Sequence, residues 1–93
     1  MGYVVARLKI LPKEPGINGD KLHDVIQANL PNDMSIRQMK DEPIAYGLFA
    51  IFVDIYFEEK DGAMNALESS IDKIDQISEF ETVAVSKAST KIG

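Results

Sequence analysis

Cysteine is absent from this chain of 93 residues, so it forms no disulfide and no thiolate metal site. Histidine occurs once, as His23, which we expect on the solvated side of a helix. No glycine-rich stretch matches a P-loop or a dinucleotide fingerprint. The acidic group Glu58, Glu59 and Asp61 offers oxygen ligands for Mg²⁺, but we interpret it as a solvated loop. We therefore predict no catalytic residue, no metal site and no cofactor.

Long apolar runs and excess positive charge are also missing. The apolar run over 48–57 is too short to span a bilayer as a helix. The net charge of -5 disfavours nucleic-acid binding, which needs clustered basic residues. The first residues lack the pattern of a secretory signal. We expect a single cytoplasmic domain over residues 1–93, with a flexible tail over 88–93, and no membrane contact.

Hydrophobic periodicity predicts four strands and two helices. Leu22, Val25, Ile26 and Leu30 form one helical stripe, and Met64, Leu67, Ile71 and Ile74 form another. The predicted elements are a strand over 3–11, a helix after Asn18 or Asp20, a strand over 34–40, a turn at 41–43, a strand ending near Phe57, a helix capped by Asp61, and a strand over 80–86. The order β-α-β-β-α-β is typical of the ferredoxin-like α+β fold, with two helices on one face of a four-stranded antiparallel sheet. Right-handed crossovers place the first and third strands in the middle.

The third strand is apolar on both faces. We assign Phe49, Ile51, Val53, Ile55 and Phe57 to the helices, opposite Val4, Ala6, Leu8 and Ile10. Leu48, Ala50, Phe52 and Tyr56 then lie on the open face, beside Tyr3, Val5, Arg7 and Lys9. We expect an exposed apolar and aromatic patch that contacts another protein. The alternative is a face softened by its charged residues, or a homodimer contact.

Two short motifs carry further signal. Pro43-Ile44-Ala45-Tyr46-Gly47 places an aromatic residue between a proline and a glycine. Glu81 to Lys87 is predicted as the final strand, with Val83 and Val85 on one face and a lysine at its end. Taken alone, the first is a hairpin turn with a packing tyrosine, and the second ends in a solvated lysine.

Together these pieces resemble the guanine-nucleotide-exchange domain of elongation factor 1-beta, most closely its short archaeal form. The similarity covers residues 2–88: the opening Met-Gly-Tyr-Val-Val-Ala, the Glu42–Gly47 segment, the acidic loop, Glu68-Ser69-Ser70 and the last strand. The resemblance implies a ferredoxin-like fold. It also implies exchange of GDP for GTP on elongation factor 1-alpha, without covalent chemistry.

The resemblance also suggests which residues bind the partner. In the eukaryotic relatives an aromatic after the proline docks into the GTPase, and a lysine near the C-terminus reaches its Mg²⁺ and phosphate region; these correspond to Tyr46 and Lys87. We predict Pro43, Gly47, Phe52 and Tyr56 as further partner-binding residues, and no direct contact with nucleic acid.

Two other interpretations stay open. One is a regulatory ferredoxin-like domain that binds a metabolite, for which the 15–19 segment is a faint glycine-rich candidate. The other is an RNA-binding domain, in which Tyr3, Phe52 and Tyr56 would stack on bases. The net acidity disfavours the second.

Overall fold

Strands and helices follow one another in the predicted order. The computed structural model describes residues 2–88. The elements are β1 (Tyr3–Pro12), α1 (Gly19–Asn29), β2 (Ser35–Pro43), β3 (Phe49–Glu58), α2 (Ala63–Asp72) and β4 (Ile77–Ala88). The four strands form one antiparallel sheet in the order β2-β3-β1-β4. The ferredoxin-like α+β fold, with the first and third strands central, is thereby confirmed. Neither helix is long and apolar enough to cross a membrane, within residues 2–88.

The core lies between the helices and one face of the sheet. The apolar residues predicted for this face in the two central strands are buried, apart from the half-buried Phe49. α1 contributes Leu22 and Ile26 to the core, and α2 contributes Leu67 and Ile71. Both helical stripes are therefore directed as the spacing predicts, although Ile74 lies just past the end of α2.

The two helices begin differently. The Asn18 side chain accepts a hydrogen bond from the Lys21 backbone N–H at 3.1 Å, so Asn18 is confirmed as the cap of α1. The prediction that Asp61 caps α2 is wrong. Gly62 occupies that position with φ +80°, a backbone conformation that glycine adopts without a steric penalty, and no side chain caps the helix.

The turn between β2 and β3 lies later than predicted. The sequence suggests a reversal at 41–43, but these residues continue β2 and pair with 49–51 of β3. Pro43 is tolerated there because β2 is an edge strand, where a missing N–H need not break the sheet. The chain reverses over residues 44–48, so the whole Pro43–Gly47 motif stands at the tip of a hairpin.

A β-bulge divides β4. Ala84 lies opposite Arg7 of β1, whereas Thr82 lies opposite Leu8, so Val83 is an extra residue in the strand. The prediction that Val83 and Val85 share a face is therefore wrong. Val83 lines a groove on the open face, and Val85 pairs with the core residue Ala6. Of the predicted tail over 88–93, only Ala88 is among the described residues, and it ends β4. Residues 89–93 lie outside the described residues.

One row of the sheet tests this division between core and edge. Ile55 and Val85 flank Ala6 on the same side, yet Ile55 is fully buried and Val85 is 52% exposed. We expect Ile55→Ala to lower the free energy of unfolding by about 2–5 kcal/mol, because it leaves a cavity in the core. Val85→Ala should cost about 0.5 kcal/mol or less, as an exposed substitution. Denaturant titration measures both, and equal losses would contradict this account of the core.

Candidate functional site

The β2–β3 hairpin ends in a tight turn. The Leu48 N–H donates to the Ala45 carbonyl at 3.1 Å, and the Ile44 N–H donates to the Leu48 carbonyl at 2.9 Å. The two residues inside the turn, Tyr46 and Gly47, have φ values of 60° and 76°. Positive φ at both central residues is the signature of a type I′ hairpin turn, which favours asparagine or glycine. A tyrosine in the first of these positions is unusual.

Tyr46 is the most exposed large apolar side chain at this tip. It is 91% exposed, and its neighbour Ile44 is 49% exposed. A non-glycine residue in the left-handed region costs about 1 kcal/mol, and so exposed a ring recovers almost nothing by burial. Strained residues of this kind concentrate at functional sites. The structure thus brings the predicted residues Pro43, Tyr46 and Gly47 together, and adds Ile44, which lies inside the same motif.

Lys87 lies at the opposite end of the sheet. It pairs with Val4, which pairs in turn with Phe57, near the end of β3. Tyr46 precedes the start of β3, beyond the pair formed by Ile10 and Ile51. The rows of Val4 and Ile10 are six residues apart, about 20 Å at the usual rise of a strand, and the hairpin tip extends further. The predicted contact residues are therefore divided between two ends of the molecule.

The Lys87 side chain has an open environment. It is exposed, and it stands on the side of β4 that faces the helices, because directly opposed residues share a face. In residues 2–88 the ion pairs join Arg7 to Asp54 and Lys60 to Asp33, and the His23 ring contacts Asp24, so none of these contacts neutralises Lys87.

The open face of the sheet differs from its prediction. Phe52 and Tyr56 lie on it, but both are half-buried, and Ala50 is almost fully buried. Phe52 stands between Lys9 and Lys40 of the neighbouring strands, whose long aliphatic stems cover apolar surface. The expectation of an exposed apolar patch is therefore wrong, and the softened face described as its alternative fits the structure. A shallow groove of about 470 Å³ crosses this face.

An ion pair occupies the centre of the open face. Arg7 and Asp54 are directly opposed on β1 and β3, and the Arg7 guanidinium donates to both carboxylate oxygens, at 2.8 and 3.0 Å. These hydrogen bonds, together with the charge of Asp54, raise the pKa of Arg7 above its ordinary value. Such two-pronged pairs fix geometry as well as charge, so this pair joins the two central strands.

Aromatic stacking continues across the same face towards the Lys87 end. The rings of Tyr3 and Tyr56 are parallel within 4°, with centroids 5.1 Å apart. Arg37 lies over the Tyr56 ring, 4.8 Å from its centroid. Arg37 sits where β2 carries its own bulge, between Ile36 and Gln38. No feature of the sequence predicts this bulge, because it depends on pairing with β3.

Metal-ligating residues are scattered in the described part of the chain. No group of three or more His, Cys, Asp or Glu side chains within residues 2–88 is arranged to hold a metal ion. His23 lies on the exposed side of α1, with Nδ1 3.1 Å from the Asp24 carboxylate. The features that stand out are an exposed aromatic tip and an exposed cation.

Comparison with known proteins identifies the family. The sequence model of one protein family, the EF-1 guanine nucleotide exchange domain, matches residues 5–88. The chain belongs to this family. Elongation factor 1-beta of Methanocaldococcus jannaschii is 40% identical over 89 residues, which are 95% of this chain and 100% of that protein. Elongation factor 1-beta of Methanococcus aeolicus is 36% identical over 87 residues (92% and 98%), and that of Methanothermobacter thermautotrophicus 33% over 85 residues (91% and 96%). The resemblance to archaeal elongation factor 1-beta is confirmed.

The match to the exchange-domain family includes both ends of the sheet. Residues 5–88 contain the tip with Tyr46 and the end of β4 with Lys87.

At the Lys87 end, the loop between β3 and α2 is held by an ion pair from Lys60 to Asp33, at 2.9 Å. The Lys60 ammonium donates a hydrogen bond to Asp33 and thereby lowers the pKa of that carboxyl below its ordinary value.

The Lys60–Asp33 ion pair should make the stability of the fold depend on pH. Because the pKa of Asp33 is lowered in the folded chain, the pair stabilises the fold above the pKa of an unfolded aspartate. That stability is lost as the pH falls through the lowered value. In Lys60→Met the pKa of Asp33 should return towards its ordinary value, as carboxyl NMR titration measures. An Asp33 pKa that is the same in both chains would contradict this assignment.

Proposed function

We propose that this protein promotes exchange of GDP for GTP on elongation factor 1-alpha, by binding that GTPase and loosening its nucleotide and Mg²⁺. No bond is made or broken in this activity. The proposal rests on membership in the EF-1 exchange-domain family, over residues 5–88. The observation that carries it from family to mechanism is Tyr46, a large side chain held in a strained backbone and exposed to solvent.

Tyr46 has the properties of a docking residue. A tyrosine has few rotatable bonds, so placing it in a pocket of the partner loses little side-chain entropy. Aromatic residues are enriched among the few interface residues that dominate binding energy. Ile44, also exposed at the tip, adds apolar surface to the same contact. We assign Pro43 and Gly47 to the shape of the turn, since they flank the residues that reach out.

Lys87 supplies the second contact. A bound Mg²⁺ is a large local charge, and it is held by anionic oxygens of the nucleotide and the GTPase. A lysine ammonium is a compact cation on a flexible stem, so it competes with the metal for these oxygens. Loss of the metal weakens the hold on the phosphates. Lys87 is exposed and has no carboxylate partner within residues 2–88, which leaves its ammonium available for this role; its assignment comes from the family resemblance.

The two contacts act at a distance from each other. Tyr46 and Lys87 are about 20 Å or more apart along the strands. A single partner must therefore extend along the length of the sheet to contact both residues. The extended backbones of the paired strands β1 and β3 set this spacing. Phe52 and Tyr56, half-buried on that face, stay predicted contacts of secondary weight.

Exchange follows from the difference between two affinities. A partner that binds the empty GTPase more tightly than the filled one must weaken nucleotide binding by the same factor. Couplings of this kind are typically about 1–3 kcal/mol, or roughly 5–150-fold in affinity. A few contacts such as Tyr46 and Lys87 supply energies of this size.

Tyr46→Ala tests the docking contact. We expect at least about a tenfold loss of affinity for nucleotide-free elongation factor 1-alpha, because a central aromatic contact is removed. The free energy of unfolding should change by only about 0.5 kcal/mol, because the ring is exposed. Calorimetry of binding, with thermal unfolding of the free chain, measures both. Unchanged affinity would remove Tyr46 from the interface.

Lys87→Ala tests the role of the cation. We expect slower GDP release when Mg²⁺ is present, and release close to the wild-type rate once the metal is chelated, because Lys87 then has nothing to displace. Fluorescent GDP reports the release. Lys73→Ala, which removes an exposed lysine beside α2, serves as the matched control and should behave as wild type. Unchanged release by Lys87→Ala would remove this lysine from the mechanism.

A further inference from the structure

Two hydrogen bonds tie the β2–β3 hairpin to the segment that leads into α1. The Gly16 N–H donates to the Gly47 carbonyl at 3.0 Å, and the Gly19 N–H donates to the Asp41 carboxylate at 2.7 Å. We call these two hydrogen bonds the brace. They connect residues that are 22 or more positions apart: Gly47 lies in the turn that carries Tyr46, and Asp41 lies in β2 opposite Ile51.

The bond to Asp41 is the stronger half of the brace. Gly19 is the first residue of α1, so its N–H is one of the donors that the helix itself leaves without a partner. The carboxylate of Asp41 satisfies this donor from another element, with a charge that suits the positive end of the helix dipole. A Cβ on residue 19 would lie 2.8 Å from Asp41 Oδ1 and Met39 Sδ, so a side chain at this position would displace the Asp41 carboxylate and the Met39 sulfur.

The bond to Gly47 reaches the turn itself. Gly16 has φ +84°, in the left-handed region, and in this conformation its N–H meets the Gly47 carbonyl. A Cβ added to Gly47 would lie 3.5 Å from Pro15 Cβ, so the two loops are also in van der Waals proximity. The residue next to Tyr46 is thereby fixed from outside the hairpin.

The segment that carries the brace is itself anchored. The Lys13 N–H donates to the Gln76 carbonyl at 2.9 Å, just before β4, and Asn18 caps α1. The brace therefore connects the hairpin to the start of α1, and through the same segment to Gln76 before β4.

We propose that Asp41 is a positioning residue for Tyr46: through the brace it holds the tip in the conformation that docks. This inference rests on the proposed function, since it takes Tyr46 as the docking residue. The ring of Tyr46 is almost fully exposed, so the backbone on either side determines where it stands. A tip that is ordered before binding avoids the entropy cost of ordering it in the complex.

The first test uses the free chain. Asp41→Ala removes the acceptor, whereas Asp41→Asn keeps an oxygen at the same place and is the matched control. We expect Asp41→Ala to lower the backbone ¹⁵N order parameters of residues 44–48, and Asp41→Asn to stay close to wild type. Unchanged order parameters in Asp41→Ala would overturn the proposal.

The second test is a double-mutant cycle on affinity for nucleotide-free elongation factor 1-alpha. Asp41→Ala should weaken binding by about three- to tenfold in the wild-type chain, the size expected for ordering a short tip. In the Tyr46→Ala chain its effect should be much smaller, because the main docking residue that it positions is gone and only Ile44 is left at the tip. An equal loss in both backgrounds would show that Asp41 acts elsewhere, and would overturn the proposal.

The two tests separate this inference from the proposed function. If Tyr46→Ala leaves affinity unchanged, the docking role fails, while the order parameters still decide whether the brace orders the tip. If Asp41→Ala does not fold at the assay temperature, Gly16→Ala takes its place. An L-residue at φ +84° is strained, so this variant displaces the Gly16 N–H from the Gly47 carbonyl. The same changes in order and affinity are expected from it.

Discussion

The packing of one sheet face against two helices is the interaction on which the rest of the structure depends. Val4, Ala6, Leu8 and Ile10 of β1 and their partners in β3 supply the sheet side of this core. Burial of this surface is the main favourable contribution to folding in so small a chain. Because residues 2–88 contain only two helices, and both pack on the core side, the other face is covered by its own side chains.

On the open face, polar and aromatic side chains pair across neighbouring strands and cover apolar residues. The Arg7–Asp54 pair and the Tyr3–Tyr56–Arg37 stack connect neighbouring strands, and lysine stems flank Phe52. The result is a sheet whose broad face is less apolar than its sequence suggests. The most exposed aromatic side chain stands instead at one end of the sheet, and the exposed Lys87 stands at the other.

The fold and the family were accessible from the sequence because the strongest patterns are local. Alternation in β1 and β3 identifies the core face, and Pro43 to Gly47 marks the hairpin tip. The bulges at Val83 and Arg37 were not accessible, since a bulge depends on the partner strand. Pro43 was assigned to a turn because proline usually marks one, but at the end of an edge strand it is tolerated. The brace has no signature in the sequence, because Gly16 and Gly19 are distant from Asp41 along the chain and form no motif with it.

In the proposed function, one GTPase contacts the sheet at two points, which lie at its opposite ends. Hydrogen–deuterium exchange of the chain, free and bound to nucleotide-free elongation factor 1-alpha, tests it most directly. We expect slower deuterium uptake in the complex at residues 44–48 and at residues 84–88 together, and no change of uptake in α1 and α2. Protection of the helices, or of only one end of the sheet, would contradict it.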